Sequence, residues 1–411
     1  MAMSINTARP LIMHIDLNSC FAMMEQQANP LIRNKPVAVA AYDTPRGMIL
    51  ASSYEAKAKN IKLGLNVRQG RQIDPGLIVM MPDPEKYFDA HERLKELLNK
   101  YTSEVVSKSV DEYVVDFRGS PVIRAGLSLE DIGKRIKADV KSSLGSYVTV
   151  NIGFGANRFL AKLAAGLNKP DGLNVLTADN LRLAYSQLSL TDLPGINVRY
   201  EARLNLAGIY TPLEFLDADL NTLRQVVFKG IVGYYWYLRL RGWEIDTAEF
   251  SRRSFGQQYA LGQKTKDILE LERLIMKLAE KTGRRLRRLN YTASGIHLSI
   301  VFEDHKIYSK RMKCPRLYAT QEIYAAAVKL LKQALIKSRV SQLAISVYGL
   351  NPNVGSQLSL FAGTKYDATR LAQASDMVND RYGEFTVVPA LMANMDNTII
   401  KRVAFGKVND D

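Results

Sequence analysis

The chain has 411 residues, of which 47% are hydrophobic and 24% charged, and its formal net charge is +15; this composition predicts a folded protein of several domains. No run of about 18 apolar residues occurs and the first residues lack the order of a secretory signal, so we expect a cytoplasmic protein that is not bound to a membrane. Two cysteines and four histidines are too few for a disulfide framework or a zinc cluster, so a metal should be held by carboxylates.

Apolar runs alternate with helical patterns over the first 170 residues, which predicts a mixed α/β fold. The expected elements are a strand ending at residue 15, a helix over 19–27, strands over 37–40 and 48–51, a helix over 85–101, a hairpin over 104–117, a strand within 147–155 and a helix over 158–167. The last helix should stop in the run NKPDG at 168–172, because proline and glycine break helices.

Residues 185–245 change to short helices interrupted by glycine. The run LPGIN at 193–197 is typical of a helix-hairpin-helix, whose turn and following helix start expose backbone N–H groups to a phosphate. A proline-glycine connection is also common in ordinary helical domains, so this pattern alone leaves both interpretations open.

Residues 251–350 carry most of the excess positive charge, with 20 of the 56 basic residues and 7 of the 41 acidic ones. The pattern predicts a four-stranded sheet carrying two helices. Its elements should be a strand over 252–261, a helix over 265–288, strands over 294–303 and 306–313, a helix over 320–337 and a strand over 341–350. Such a basic module suits the phosphate backbone of a nucleic acid, whereas a surface merely made soluble by lysines is the plainer explanation.

Two sets of basic residues in this segment invite a role. Lys306, Lys310, Arg311 and Lys313 could reach phosphates from the sheet. The arginine-rich run 284–288 ends the first helix, where it could either pair with the helix dipole or contact DNA.

Three carboxylates form the candidate catalytic group. Asp16 ends the first strand, and Asn18 stands where a second acid could complete a metal pair. Asp111 and Glu112 open another predicted strand, so three acids from two strand ends could face one point. This is about the number that two Mg²⁺ ions, or alternatively Mn²⁺, need when a triphosphate and backbone carbonyls complete their shells. An ordinary surface Asp-Glu pair is the alternative.

Four motifs resemble, in the same order, those of the Y-family translesion DNA polymerases. They are IDLNSCFAMMEQ at 15–26, ASSYEAKAKNIKLGL at 51–65, SVDEYVVDF at 109–117 and NIGFGANRFLAKLAAGLNKPDG at 151–172. Asn18 and Lys57 favour the UmuC-like branch, including the UvrX-type proteins of Gram-positive bacteria and their phages. The resemblance implies an error-prone, DNA-templated DNA polymerase that adds deoxynucleotides to a primer 3′-hydroxyl, bypasses damaged bases and lacks proofreading.

The resemblance also implies the ligands of the two metal ions. By position, Asp16 and Asp111 would bridge the metals, the Leu17 carbonyl would complete one shell, and Glu112 would bind the ion that activates the primer hydroxyl.

The nucleotide site is implied in the same way. Tyr54, Lys57 and Lys169 match residues that hold the incoming triphosphate, helped by the backbone amides of Cys20 and Phe21. Phe21 also stands at the steric gate, where an aromatic ring excludes a ribose 2′-hydroxyl; an ordinary core phenylalanine is the alternative.

Three positions near these motifs have particular features. Lys162 should make a supporting salt bridge rather than a phosphate contact. Cys20 replaces the usual aromatic residue and Ala51 replaces a frequent threonine. These two departures bear on nucleotide selection and leave the metal ligands intact.

The resemblance implies a right-hand polymerase architecture with a mixed-sheet palm. Its expected parts are the palm at 1–26 and 83–184, small fingers at 27–82, a helix-hairpin-helix thumb at 185–245, a linker at 246–251, a basic DNA-binding little finger at 252–350 and a tail at 351–411.

The tail contains a candidate attachment motif. The residues Gln357, Leu358, Ser359, Leu360 and Phe361 resemble the peptide by which bacterial polymerases bind the sliding clamp. The glutamine can hydrogen-bond at a pocket rim while the apolar side chains fill the pocket. A peptide packed on its own domain is the alternative.

The expected partners are therefore primer-template DNA, an incoming deoxynucleotide and the sliding clamp, with an accessory subunit and association with the nucleoid as further expectations. Two other functions remain open. A two-metal nuclease could use the Asp83-Pro84-Glu85 run, and a non-catalytic protein could bind only DNA or the clamp.

Overall fold

The computed structural model describes residues 3–247, 251–353, 365–395 and 398–399, apart from the side chains of 365–367. These residues belong to two compact units, the first ending at residue 247 and the second beginning at residue 251. The candidate clamp peptide Gln357–Phe361 lies outside the described residues. Among the helices that the structure describes, none has the length and apolar character needed to span a membrane.

The first unit alternates strands and helices. Its strands are β1 (Ile12–Leu17), β2 (Val37–Ala40), β3 (Ile49–Ser52), β4 (Ile78–Met80), β5 (Val105–Ser107), β6 (Glu112–Asp116), β7 (Val150–Gly155) and β8 (Leu173–Val175). Its helices are α1 (Cys20–Ala28), α2 (Tyr54–Ala58), α3 (Val67–Ile73), α4 (Pro84–Asn99), α5 (Pro121–Arg124), α6 (Leu129–Leu144), α7 (Arg158–Gly166), α8 (Ala178–Ser186), α9 (Val198–Asn205), α10 (Pro212–Asp217) and α11 (Ile231–Leu240).

A five-stranded central sheet has the order β5-β6-β1-β7-β8, with β1 in the middle and antiparallel to both neighbours. Side chains alternate between its two faces. Met13, Ile15 and Leu17 pack into a core that includes α4 and α6, whereas Ile12 packs with Ala161 of α7 on the other face. Asp16 has the same parity as Ile12 along β1, so it belongs to the α7 face.

A smaller, three-stranded sheet has the order β3-β2-β4. In the sequence, its strands come after β1 and before β5. Its core is formed by small and branched apolar residues, namely Ala38, Ile49, Ala56, Ile61 and Leu77. The strand predicted over 37–40 is found at the same residues, and the one predicted over 48–51 is shifted by one residue. The short strand β4 was not predicted, since three residues carry too little pattern.

Helices α8 to α11 form a helical segment around aromatic residues such as Phe215, Trp236 and Tyr237. The predicted helix-hairpin-helix differs in detail. A 3₁₀ turn at Leu190–Asp192, not an α-helix, precedes the 193–197 run, and α9 follows it. Gly195 has a φ of +97°, a left-handed conformation that favours glycine at this turn.

The second unit contains the predicted order of strands and helices. They are β9 (Ser254–Thr265), α12 (Ile268–Arg288), β10 (Tyr291–Phe302), β11 (Ile307–Leu317), α13 (Thr320–Leu331) and β12 (Val340–Pro352), followed by α14 (Lys365–Tyr382). The four strands form an antiparallel sheet of order β11-β10-β12-β9. Alternate residues of β10 and β12 pack with α12 and α13 in one core, which leaves the other face of the sheet open.

The carboxyl-terminal residues of the second unit pack along α12. Arg273, Lys277 and Lys281 stand four residues apart on this helix, so they share one face. They donate to main-chain carbonyls at Leu391 (3.1 Å), Met395 and Ile399 (3.1 Å), respectively. The described residues of 365–395 and 398–399 therefore form an integral layer of this unit.

The arginine-rich end of α12 is also covered by this layer. Arg287 is buried and forms two hydrogen bonds with Asp376 of α14, one of them 2.9 Å long. Arg284 lies 2.8 Å from Asp380. These two arginines therefore make contacts within the unit. Neither of the two explanations offered for the run from the sequence, pairing with the helix dipole or contact with DNA, included these contacts.

The predicted fold class is confirmed: the chain is a mixed α/β protein built from several substructures.

Candidate active site

The register of the central sheet brings the three predicted carboxylates to one end of β1 and β6. Asp16 pairs with Glu112 across the two antiparallel strands. The Leu17 amide donates to the Asp111 carbonyl over 3.0 Å, which holds the residue before β6 against the end of β1. Acids that are about a hundred residues apart in sequence therefore meet because their strands are neighbours.

Two lysines from the α7 side neutralise part of this charge. Lys162 of α7 lies 2.7 and 2.9 Å from the two carboxylate oxygens of Glu112, so the predicted supporting salt bridge is confirmed. Lys169, which follows α7, contacts the carboxylate of Asp16. The structure thus places Lys169 on a predicted metal ligand. To bind a triphosphate, Lys169 would have to break its contact with Asp16.

Helix α7 packs close enough to β7 to bring Lys162 to Glu112, because two residues of β7 are glycines. A Cβ atom on Gly153 would lie 2.0 Å from the Ala165 nitrogen, and one on Gly155 would lie 2.4 Å from the Ala161 nitrogen. Both distances are shorter than any real contact, so glycine is needed at both positions for the helix to lie where it does.

Burial and neighbouring groups shift the pKa of each of the three carboxylates. Burial raises the pKa of Asp16, against the charge and hydrogen bond of Lys169, and the charge of Asp111 adds to the rise. Burial also raises the pKa of Asp111, although Ser109 donates to it over 2.6 Å. For Glu112 burial is again the largest cause and acts in the same direction, but the hydrogen bond from Lys162 and the neighbouring positive charges together outweigh it, so the pKa is lowered.

A buried histidine stands beside these acids. His14 Nε2 lies 3.7 Å from Glu112. Burial lowers the pKa of His14 to about 4, with the charge of Lys162 among the smaller contributions in that direction. The imidazole is therefore neutral at neutral pH and adds no positive charge to the site.

The donor set fits a divalent cation in its chemistry. In the part of the chain that the structure describes, no three His, Cys, Asp or Glu side chains stand close enough together to form a metal cluster as they are. Asp16 and Asp111 are nevertheless neighbouring carboxylates whose pKa values are raised by burial, and the Leu17 backbone lies beside them. Oxygen donors of this kind are those that Mg²⁺ and Mn²⁺ prefer.

The predicted nucleotide-binding side chains reach the same end of β1 from helix α2. The Tyr54 hydroxyl donates to Asn18 Oδ1 over 3.2 Å, and Lys57 donates to Ser19 Oγ over 2.7 Å. The ammonium of Lys57 also lies 4.6 Å from the centre of the Tyr54 ring, which is within the range of a cation–π contact.

The start of α1 completes this side of the site. Its N-cap residue Ser19 has a φ of 49° and makes no side-chain capping bond. A helix start attracts anions, because the first backbone N–H groups of a helix have no partner within the helix. The structure brings the predicted amides of Cys20 and Phe21 together with Tyr54 and Lys57.

The predicted gate residue is firmly held. Phe21 is 2% exposed and its ring stacks on Tyr87, with centroids 4.4 Å apart and an angle of 15° between the planes. Tyr87 is fixed in turn by a 2.7 Å hydrogen bond to Glu25. Cys20 is buried next to this pair, and burial raises the pKa of its thiol, which therefore stays neutral.

The hydrogen bonds that hold β6 and the residues before it could not be read from the sequence. His91 Nδ1 lies 3.0 Å from the Val110 carbonyl, and its Nε2 lies 2.8 Å from the Tyr113 hydroxyl. His91 follows the helical spacing of an apolar face, so its pattern indicated only a core position. Its polarity among apolar neighbours was the one available signal.

The two acids of the alternative nuclease site, Asp83 and Glu85, have another role in the structure. Asp83 is the N-cap of α4 and its side chain accepts from the Lys86 amide, while Glu85 lies in the first turn. These are ordinary positions for acids at a helix start, so the structure gives the nuclease interpretation no support there.

Comparison with known proteins agrees with the architecture. A model of the impB/mucB/samB family matches residues 15–166, and a model of the C-terminal domain of that family matches residues 252–360. The DNA polymerase IV of Pelotomaculum thermopropionicum is 32% identical over 388 residues, which covers 92% of this chain and 94% of the relative. The DNA polymerase IV of Moorella thermoacetica is 31% identical over 381 residues, covering 91% and 94%.

Solved structures share the fold. A Y-family DNA polymerase chimera superposes with a TM-score of 0.72 at 24% identity, covering 83% of this chain and 99% of that chain. A ternary complex of the Dbh DNA polymerase superposes with a TM-score of 0.57 at 22% identity and the same coverage.

Proposed function

The chain belongs to the impB/mucB/samB family, and thus to the Y-family translesion DNA polymerases, and from this premise we propose which of its residues carry out the polymerase reaction. The observation that supports the proposal is the pairing of β1 with β6, which sets Asp16 opposite Glu112 and ties Leu17 to Asp111 at the same end of the two strands. The relatives described above are DNA polymerase IV proteins, and placement within the UmuC-like branch remains a prediction.

Asp16, Asp111, Glu112 and the Leu17 carbonyl would hold two divalent ions, most suitably Mg²⁺ and alternatively Mn²⁺. Ions bound there lower the pKa of a hydroxyl and neutralise the charge of a triphosphate. Lys162 would keep Glu112 ionised and oriented throughout. The attack of the primer 3′-hydroxyl on the α-phosphate releases pyrophosphate, so one P–O bond forms as another breaks.

The incoming nucleotide would meet the start of α1. Lys169 would leave Asp16 and join Lys57 and the Tyr54 hydroxyl on the triphosphate, while the Cys20 and Phe21 amides donate from the helix start. The Phe21 ring, held by its stacking on Tyr87, would resist displacement by a ribose 2′-hydroxyl.

The open sheet face of the second unit would hold the DNA duplex. Its floor consists mainly of small or uncharged residues, including Gly256, His297, Ser299, Gln342 and Ser346. The edge strand β11 adds exposed cations at Arg311 and Lys313 on this face and at Lys310 on the opposite one, with Lys306 just before the strand. This arrangement suits phosphates that run past the edge of the sheet without a particular base sequence.

Two partners rest on the sequence alone. The clamp peptide Gln357, Leu358, Ser359, Leu360 and Phe361 lies outside the described residues, and an accessory subunit has no candidate surface among the described ones.

Replacing Gln357, Leu360 and Phe361 together by alanine should abolish clamp-stimulated synthesis and spare basal extension. Unchanged stimulation would show that the peptide only packs on its own chain.

Primer extension tests the main proposal. With a primer-template, Mg²⁺ and four deoxynucleotides, the wild-type chain should lengthen the primer, and Asp111→Ala should abolish extension while DNA binding persists. Shortening of the primer would favour the nuclease. Binding without extension by the wild type would favour a non-catalytic DNA-binding protein.

A further inference from the structure

Asn18 occupies a junction between the central sheet and helix α2. Its side chain is 2% exposed, and its amide contacts Tyr54, Asn151 and Thr149. We infer that Asn18 is a positioning residue that fixes the Tyr54 hydroxyl for nucleotide binding. This inference rests on the proposed role of Tyr54 and adds the residue that controls it.

The orientation of the Asn18 amide follows from a backbone donor. The Gly172 N–H can only donate, and it lies 2.8 Å from Asn151 Oδ1. The Nδ2 group of Asn151 must therefore face Asn18, which has to present its oxygen there. The nitrogen of Asn18 is then directed to Thr149 Oγ1 at 2.9 Å.

This orientation determines what Tyr54 does. Because Asn18 Oδ1 is the acceptor, the phenol at 3.2 Å donates its proton to it. The phenol oxygen, whose proton is directed at Asn18, can still act as an acceptor, and the ring is held beside Lys57. Tyr54 is thus fixed in both position and hydrogen-bond direction before a nucleotide arrives.

The same chain of hydrogen bonds reaches the second cationic element of the site. Gly172 follows Lys169 by three residues in the loop between α7 and β8. Asn18 and Asn151 therefore connect the loop that carries Lys169 to the helix that carries Tyr54 and Lys57. A change at Asn18 should act on nucleotide affinity rather than on the chemical step, since none of these contacts involves Asp111 or Glu112.

Different side chains at position 18 make different predictions. Asn18→Leu has a similar shape and removes the acceptor, so the Tyr54 hydroxyl loses the hydrogen bond that it donates to Asn18. Asn18→Asp keeps an acceptor for both Tyr54 and Asn151, and the Thr149 hydroxyl can turn to donate to it. Aspartate should therefore rescue what leucine loses.

The test is single-nucleotide primer extension by the full chain with the correct deoxynucleotide. Tyr54→Phe should raise KM by about three- to ten-fold, the worth of one hydrogen bond. Asn18→Leu should raise KM by a similar factor and leave kcat within about two-fold of wild type. The KM of Asn18→Asp should stay within about three-fold of wild type. The KM of the double variant Asn18→Leu/Tyr54→Phe should be no more than about two-fold above that of either single variant.

A matched control removes the contact on the other side of the same amide. Thr149→Val loses the acceptor of Asn18 Nδ2 but leaves Asn151 to hold Asn18 Oδ1, so it should lower stability and leave KM near wild type. If Asn18→Leu does not fold, Asn18→Ala serves in the same cycle, because the smaller side chain leaves room for water.

The outcomes separate the two claims. If the KM effects of Asn18→Leu and Tyr54→Phe multiply in the double variant, or if Asn18→Leu leaves KM unchanged, the positioning role of Asn18 is wrong. If Tyr54→Phe alone leaves KM unchanged, the proposed role of Tyr54 in nucleotide binding is wrong instead.

Discussion

The close contact between α7 and β7 gives a quantitative prediction for Gly153→Ala. The new Cβ would lie 2.0 Å from the Ala165 nitrogen and 2.4 Å from the Ala161 oxygen, whereas ordinary contacts begin at 3.4 Å. Both atoms belong to the backbone of α7, so no rotamer change can relieve the clash. The helix would have to move away by about 1.4 Å, the difference between 3.4 and 2.0 Å.

A shift of this kind has two measurable effects. Overpacking a close contact costs about 1–3 kcal/mol, and the absence of a flexible neighbour places Gly153→Ala at the upper end. Helix α7 also carries Lys162, whose 2.7 Å contact with Glu112 would lengthen. Urea unfolding of the full chain should show the loss of stability, and steady-state primer extension should show a reduced kcat.

Gly166→Ala is the matched control. Gly166 is the last residue of α7, and a Cβ there would have no neighbour within 4 Å. Alanine favours a helix by up to about 1 kcal/mol over glycine, so this variant should be neutral or slightly more stable and fully active. A wild-type unfolding midpoint for Gly153→Ala, or equal losses for both variants, would refute the packing argument.

Three further outcomes follow from single contacts. Arg287→Ala should destabilise the second unit by about 1–3 kcal/mol in thermal or urea unfolding, because it removes the two hydrogen bonds of a buried guanidinium to Asp376, which keeps the longer 3.6 Å contact with Arg284. The exposed Arg288→Ala should not have this effect, and equal losses would contradict the role of the buried ion pair. Phe21→Ala should raise ribonucleotide incorporation in a primer-extension assay, and equal ribonucleotide use by both proteins would remove Phe21 from the gate. Lys162→Met should raise the pKa of Glu112, since a hydrogen bond that lowers it is lost. Glu112 would then lose its charge at a higher pH, so the pH below which the primer-extension rate falls should be higher than in wild type; an unchanged pH dependence would contradict this role of Lys162.

The strand and helix patterns of the first unit could be predicted because they arise from local burial. The strand over 37–40 is apolar at every position and all four residues are buried. Helix α4 repeats apolar residues at helical spacing and begins at a proline after an aspartate cap. Each of these signals lies within one element, where sequence and structure have the same order.

The partners of long side chains could not be predicted in this way. Lys169 lies 153 residues from Asp16, and sequence places it in a loop without saying which acid its flexible chain reaches. The arginine run at the end of α12 likewise had two explanations, and the one found depends on α14, about 90 residues later. Contacts of this type depend on how distant elements pack, which short-range patterns do not encode.

Asn18 shows how structure can change the meaning of a sequence departure. At the sequence level it stands where a second acid could complete a metal pair with Asp16. Its side chain instead faces Tyr54 and Asn151, so an aspartate at the same place would accept the same two hydrogen bonds. An acid there would then add negative charge beside the proposed triphosphate site without adding a metal ligand. The number of carboxylates available to the metals is therefore the same with asparagine or aspartate at position 18, and the two side chains should support nearly the same nucleotide affinity.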